Sequence, residues 1–358
     1  MTRIVVVLLT FTLAACAGPP DAGHTTLIYA SPYGPNHPFS LADQAWIRRV
    51  ETLAHGTLRI RPVWSGALLS SDQSLEELRH GVADIGLITP IYVRGGVHLI
   101  RTQSGFYAGA RTSAQQVALY QCLAAAVPEY ARELSGLKVL AIQGGTLPGV
   151  VTRLRPVRTL EDLRGLRLRA PTELLGVLRD LGADPVNMPM GEVYSALAKG
   201  VLDGVIAPAD ALHSMHLSEV ARYYTRLEIP RGAYPARAMS VRRWRTLSAA
   251  QQQILSDAEP FWEEALAAAT QAAVAKGEAQ GRRDGLAFLP IAPGDQQRFD
   301  ALYARDASLS AARLQTLGID GPAVYARARR LATQLPGNGT LNCGLATSAP
   351  VPEPARAP

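Results

Sequence analysis

The sequence predicts an α/β protein with parallel or mixed sheets, on three observations. Strand-like and helix-like stretches alternate along most of the chain, the pattern of parallel sheets covered on both faces. The chain has 358 residues; single cores rarely grow beyond about 250–300 residues, so it forms either two lobes or one large α/β domain. A helical pattern over 248–283, at about 1.5 Å per residue, is longer than one lobe is wide and suits a backbone shared by two lobes.

The elements follow in order. Residues 26–30 form a short β-type run, and 41–54 carry helical apolar spacing through Ala42, Ala45, Trp46, Val50 and Leu53. Residues 58–64 are a second strand. The next helix, 71–80, is ended by Gly81 in the favoured position just past a helix, and 83–88 is a third strand. The alternation resumes with strands at 137–143 and 166–170, helices at 172–181 and 192–199, and a strand at 201–207. Pro260 should kink or restart the 248–283 helix, and Gly277 and Gly281 weaken its end. Residues 299–307 and 322–334 read as peripheral helices, the second opening on proline at its tolerated first position.

With 47% hydrophobic and 18% charged residues the chain can bury a sizeable core and is too apolar to be disordered. Its 36 basic and 30 acidic residues give a net charge of +6, and only Lys138, Lys199 and Lys276 are lysines. No basic run is interleaved with aromatics, so the footprint of a nucleic-acid binder is missing. Residues 1–15 read as an export signal, with Arg3 before an apolar stretch too short to span a bilayer. Leu13-Ala14-Ala15-Cys16 looks like the lipobox of bacterial lipoproteins, whose acylated cysteine tethers a water-soluble fold to a membrane; the alternative is a plain secretory signal. Ala17 after it leaves the choice of inner or outer membrane open. Residues 16–25 suit a tether, and the Pro/Ala/Gly-rich 335–358 reads as a tail without fixed structure. Cys122 and Cys343 form either one disulfide or two free thiols. No His/Cys cluster has metal-ligand spacing, so no metal is expected.

The most informative stretch runs from Leu160-Glu-Asp-Leu-Arg-Gly-Leu-Arg-Leu-Arg-Ala-Pro171 through Leu181-Gly-Ala-Asp-Pro-Val-Asn-Met-Pro-Met190 to Glu192, Tyr194, Gly200, Asp203-Gly204 and Pro208. It resembles the solute-binding component of tripartite ATP-independent periplasmic (TRAP) transporters, of the dicarboxylate-binding-protein type, with weaker agreement across roughly 26–332. The resemblance implies a two-lobed periplasmic binding protein of type II-like fold. Lobe 1 would take about 26–142 and part of the C-terminal region, lobe 2 about 143–247, with 248–283 bridging them. It implies capture of an organic acid by cleft closure and delivery to the large and small TRAP membrane subunits, with no enzymatic step and no cofactor. A receptor or scaffold lipoprotein of the envelope is the alternative. A hydrolase lacks support, because no Gly-x-Ser-x-Gly elbow occurs.

By the resemblance, Arg169 grips the ligand's carboxylate. The residue chemistry agrees: in 166–170 leucine alternates with arginine, Pro171 ends the strand, and the carboxyl ends of strands are where open α/β sheets place ligands. A guanidinium matches a carboxylate with two parallel charge-assisted bonds. Two departures from the family matter. Ala207 stands where the family has an amide on the carboxylate, and Gly149 where many sugar-acid binders have a second arginine, for which nearby Arg153 is a substitute. A monocarboxylate with an apolar or aromatic body suits a pocket that has lost polar partners. Tyr33, Asn36 and His37, in a proline-rich turn, either face ligand or cap the next helix. Trp64 either stacks ligand or joins the core. Thr89 and Tyr92 can donate hydrogen bonds. Asp210 and His213 open a cleft-facing helix, and Tyr234 lies where the returning chain lines the pocket. Met188 and Met190 read as packing, and Glu192 and Tyr194 as part of the fold.

Overall fold

A computed structural model describes residues 24–93, 95–335, 341 and 343. The export signal at 1–15, Cys16 with most of the tether, and nearly all of the 335–358 tail lie outside the described residues.

Two mixed sheets organise the chain. The first has the strand order β2-β1-β3-β10-β4, from β1 (Thr25–Ala30), β2 (Leu58–Val63), β3 (Ile85–Leu87), β4 (Leu137–Gln143) and β10 (Tyr234–Ser240). The second has the order β11-β9-β5-β8-β6-β7, from β5 (Gly149–Thr152), β6 (Arg167–Arg169), β7 (Asp184–Val186), β8 (Gly204–Ala207), β9 (Tyr223–Arg226) and β11 (Ala287–Pro290). Parallel pairs joined by helices build one side of each sheet: β1 runs along β2 with Thr25 opposite Leu58, and β6 along β7 with Arg167 opposite Asp184. A single antiparallel strand enters each sheet from the other half of the chain's path, β10 between β3 and β4, and β5 between β8 and β9.

This topology corrects the expected lobe boundary within 143–247: β10, from that stretch, belongs to the first sheet, and all seven of its residues are buried. The chain thus crosses between sheets after β4, again before β10, and once more to place β11 in the second sheet.

The helices begin and end where local chemistry directs. His37, in extended conformation, caps the helix Pro38–Leu53 by accepting at Nδ1 from the Phe39 amide at 3.2 Å, and Pro38 occupies the first turn, where a missing N–H costs nothing. Gly81 closes the helix Ser74–His80 with φ of 81°. Pro260 does restart the long pattern: Ala249–Asp257 ends at Ala258, and Glu259–Arg283 runs on for 25 residues.

The helix Glu259–Arg283 packs on both halves. Near its start Trp262 stacks on Trp46 of Pro38–Leu53, centroids 3.7 Å apart and planes at 14°. Further along, Gly277 lies against Ala209 and Asp210, where any Cβ would collide with the Ala209 carbonyl. A second helix also spans the halves, contrary to its reading as peripheral. Asp295–Arg313 places Phe299 and Tyr303 in the core of the second sheet and Ala307 and Ala311 in the core of the first. Cys122 and Cys343 are bonded, with Cα atoms 5.1 Å apart, which decides between the two alternatives for these thiols.

A buried polar network stiffens the first sheet. Asp43 and Arg237 are both fully buried and paired at 2.8 Å; the same carboxylate accepts from Trp262 Nε1 at 2.9 Å and from the Tyr29 hydroxyl. Arg237 also donates to Gln143 Oε1 at 2.8 Å. Burial opposes the charge on Arg237, but the Asp43 carboxylate, with Tyr29 nearby, outweighs it and keeps the guanidinium more basic than usual.

Candidate functional site

A cavity of about 120 Å³ lies between the sheets. The first half contributes Tyr33 and His37 from the turn after β1, Ile91 and Tyr92 from the short 3₁₀ turn after β3, and Ser104. The second half contributes Arg169 from β6, Glu173 just beyond it, Ile206 and Pro208 at the end of β8, and Asp210. The two crossings add Pro148, Arg231, Gly232 and Tyr234. The site therefore occupies the carboxyl ends of the parallel strands and the segments where the chain changes sheet, where bending the backbone would alter its width.

Arg169 is only 3% exposed. Its Nε donates to the Met188 carbonyl at 2.9 Å and its Nη2 to the Tyr92 hydroxyl at 2.6 Å. Its guanidinium carbon lies 5.4 Å from the centre of the Tyr92 ring. Among the described residues no carboxylate lies within ion-pair distance of this guanidinium and Nη1 has no protein partner. Arg167, two residues earlier on the same face, is exposed and faces Asp184 at 3.7 Å. Strand alternation put both arginines on one face; only position along the strand separates the buried one from the solvated one.

Tyr33 stacks on His37 with centroids 4.2 Å apart, and His37 meets the edge of Phe39 at 4.7 Å. Burial, with the Arg237 charge behind it, lowers the His37 pKa to about 3, so the ring is neutral and its Nδ1 lone pair is free to cap the helix. Burial, and the neighbouring Tyr92 and Tyr234, hold the Tyr33 phenol well above its usual range. Burial raises the Tyr234 phenol too, so Tyr33 and Tyr234 bring hydroxyls that stay protonated and can donate. Asp210 is 6% exposed and accepts from Thr146 Oγ1 at 3.3 Å; burial raises its pKa, and the Arg231 charge partly offsets this.

Six of the residues singled out in the sequence therefore meet in this cavity: Tyr33, His37, Tyr92, Arg169, Asp210 and Tyr234. The others lie elsewhere. Asn36 is exposed and lines a wider groove at the side of the cleft, with His213 and Tyr194. Trp64 packs edge-on against Tyr29 at 5.5 Å in the first core. Thr89 is buried in a turn, where its amide donates to Ser74 Oγ at 3.1 Å and its hydroxyl to the Ser71 carbonyl. Arg153 leaves the pocket altogether: its amide donates to the Asp203 carbonyl at 2.8 Å and its guanidinium lies beside Gly200.

The two family departures are opposite each other across the β5–β8 pair, Gly149 facing Ala207. A Cβ at Gly149 would meet the Thr225 carbonyl and the Tyr224 ring carbon at 2.9 Å, so Tyr224 fills the space a side chain there would need. Ala207 is buried in the core behind the sheet, while Ile206 and Pro208 reach the cavity.

Sequence reasoning missed Arg231, Glu173 and Met190, which line the cavity; Met190 was assigned to packing. Arg231 sits in the quoted Arg231-Gly-Ala-Tyr-Pro235 run, and the signal that could have found it is that an arginine in a proline-flanked crossing has no regular element to cover it. Glu173 carried no such signal.

Residues 29–305 match the family described as bacterial extracellular solute-binding protein, family 7. A solute-binding protein of Albidiferax ferrireducens is 27% identical over 181 residues, 49% of this chain and 52% of the relative. A monocarboxylate 2-oxoacid-binding periplasmic protein of Nostoc is 26% identical over 181 residues, 49% of each. The aligned stretch thus spans about half the length of these curated relatives. Among solved structures, a TRAP periplasmic solute-binding protein from Desulfovibrio salexigens superposes with a TM-score of 0.70 at 25% identity, covering 88% of this chain and 98% of that one. That protein was crystallised open, with the C-terminus of a symmetry mate in its ligand-binding site.

Proposed function

This chain belongs to the bacterial extracellular solute-binding proteins of family 7, and from that premise we propose that it captures a small organic acid in the cavity between its sheets. Closure over the acid would present it to the large and small membrane subunits of a TRAP transporter. The observation that carries the reading is the buried Arg169 guanidinium, which faces a cavity with no carboxylate paired to it among the described residues. A buried charge without a counter-ion is costly, so a site of this kind gains most from an anion of matching geometry. The Nostoc relative's named ligand class and the peptide carboxyl terminus in the Desulfovibrio site agree with a carboxylate there.

Affinity follows from closure. Arg169 and Asp210 belong to the second half and Tyr33 and Tyr92 to the first, so a ligand touching all of them binds the closed form better than the open one. Transport itself would draw on an ion gradient used by separate membrane subunits. Export and acylation at Cys16 complete the reading: the lipobox-like Leu13–Cys16 stretch would tether the binding domain to an envelope membrane.

Thermal-shift and calorimetric screening of the mature protein against organic acids tests the function. A stabilising carboxylate is expected, its effect abolished by Arg169→Ala and largely lost in Arg169→Lys, which keeps the charge without the planar fork. Full affinity in both variants overturns the role of Arg169. Cys16→Ala is expected to release the protein from the membrane fraction, and unchanged fractionation overturns the anchor.

A further inference from the structure

The cavity that holds Arg169 and Arg231 also holds two acidic side chains, Glu173 and Asp210. Each is only partly satisfied by the protein. Glu173 stands in the 3₁₀ turn Thr172–Leu174 that follows β6; Ser104 and its own backbone amide supply hydrogen bonds to the carboxyl, yet its Oε2 is buried without a hydrogen-bond partner. Asp210 accepts at Oδ1 a long bond of 3.3 Å from Thr146, and its own backbone amide also donates to the carboxyl. Arg231 acts on both carboxyls electrostatically, yet lies outside ion-pair distance of either. Its own recorded bond is a long one, 3.5 Å to the Thr146 carbonyl.

The charges set a condition on the ligand. Two guanidinium groups and two carboxylates sum to zero when all are ionised, and a bare monocarboxylate would add an unbalanced negative charge to an enclosed space. It would also bring no donor to the orphaned Glu173 Oε2 or to Asp210, whose bond from Thr146 is long. Burial pushes Glu173 and Asp210 above the ordinary carboxylate range, which the protein's own hydrogen bonds and arginines only partly offset, so a further donor from the ligand would favour their ionised forms.

We infer that the acid taken by this cavity carries a hydrogen-bond donor on its carbon body, a hydroxyl or an ammonium group, and that Glu173 and Asp210 receive it. This rests on the carboxylate reading above and narrows it: a purely apolar body on the acid is disfavoured. An ammonium group would balance charge as well as donate, whereas a hydroxyl would only donate.

The test is isothermal titration of the mature protein with matched sets of acids: plain, hydroxylated and aminated members of branched aliphatic and aromatic skeletons, substituted at carbon 2 or 3. At least one donor-bearing member is expected to bind tenfold or more tighter than its plain parent, and Glu173→Gln or Asp210→Asn should bring that ratio down toward one. A preference for the aminated member that collapses most in these charge-removing variants identifies an ammonium; a preference for the hydroxylated member identifies a hydroxyl. Plain acids binding as tightly as their substituted partners in every set overturns the inference, as does a ratio that survives in both variants. Those results leave the carboxylate reading intact, whereas binding of no acid at all removes that reading and this one with it.

Discussion

The Nη2 group of Arg169 donates to the hydroxyl of Tyr92 at 2.6 Å, joining β6 of the second sheet to the turn after β3 of the first. One bond across the cleft thus sets the direction in which a ligand carboxylate would be gripped. The hydroxyl, in accepting from Arg169, keeps its own proton for a further acceptor.

Tyr92→Phe removes that bridge and leaves the ring. A hydrogen bond to a charged group is worth about 1.5–3 kcal/mol, so affinity for the stabilising acid should fall about tenfold or more, measured by calorimetry. Unchanged affinity would make Tyr92 a passive part of the wall.

The Asp43–Arg237 pair has both side chains fully buried, and the carboxylate also accepts from Trp262 and Tyr29. Breaking it from one side strands a charge: Asp43→Asn should cost about 3–5 kcal/mol in urea unfolding. The double change Asp43→Leu with Arg237→Met should cost less than the two single changes added together, because no lone charge remains. Strict additivity would show that the two residues do not act as a pair.

His37 links pH to stability. Its pKa is about 3 in the folded protein against 6.5 ordinarily, so between these values the unfolded chain binds more protons. Stability should therefore be fully present above pH 6.5 and decline as pH falls toward 3, by at most about 1.4 kcal/mol per pH unit from this group. His37→Asn keeps an N-capping acceptor without the titration. The wild type should lose stability relative to His37→Asn as pH falls from 6.5 toward 3, and parallel pH profiles would contradict the assignment.

Gly277 lets Glu259–Arg283 lie directly on the Ala209–Asp210 backbone. Alanine there gains about 1 kcal/mol of helix propensity, but its methyl group collides with the Ala209 carbonyl, and overpacking of this kind costs about 1–3 kcal/mol. A net loss of stability is expected by thermal unfolding, together with weaker acid binding because Asp210 moves. Gly191, with nothing near an added Cβ, is the control and should tolerate alanine or gain from it. Equal responses at the two glycines would refute the close-contact account.

Much of the fold was legible because it is local. The 137–143 run became β4 at those bounds, Gly81 ended its helix through a left-handed turn, and Pro260 restarted the long helix, each decided within a few residues. Arg169 was legible too, because alternation, Pro171 and the family pattern all bear on one short strand. Gly277 shows the limit: read along the chain it only weakens a helix, whereas across the chain it is what admits the backbone carrying Asp210.

By itself the sequence determined the alternating α/β architecture, the family and the arginine at a strand's carboxyl end, since periodicity, turn residues and ordered motifs are properties of neighbouring positions. Only the tertiary structure decided that β10 returns to the first sheet, that Arg153 and Thr89 stay out of the cavity while Arg231 and Glu173 enter it, and that Cys122 reaches Cys343. Those outcomes depend on which distant surfaces pack together. Burial, charge and hydrogen-bond supply at a site are set by that packing, which residue order constrains but does not spell out.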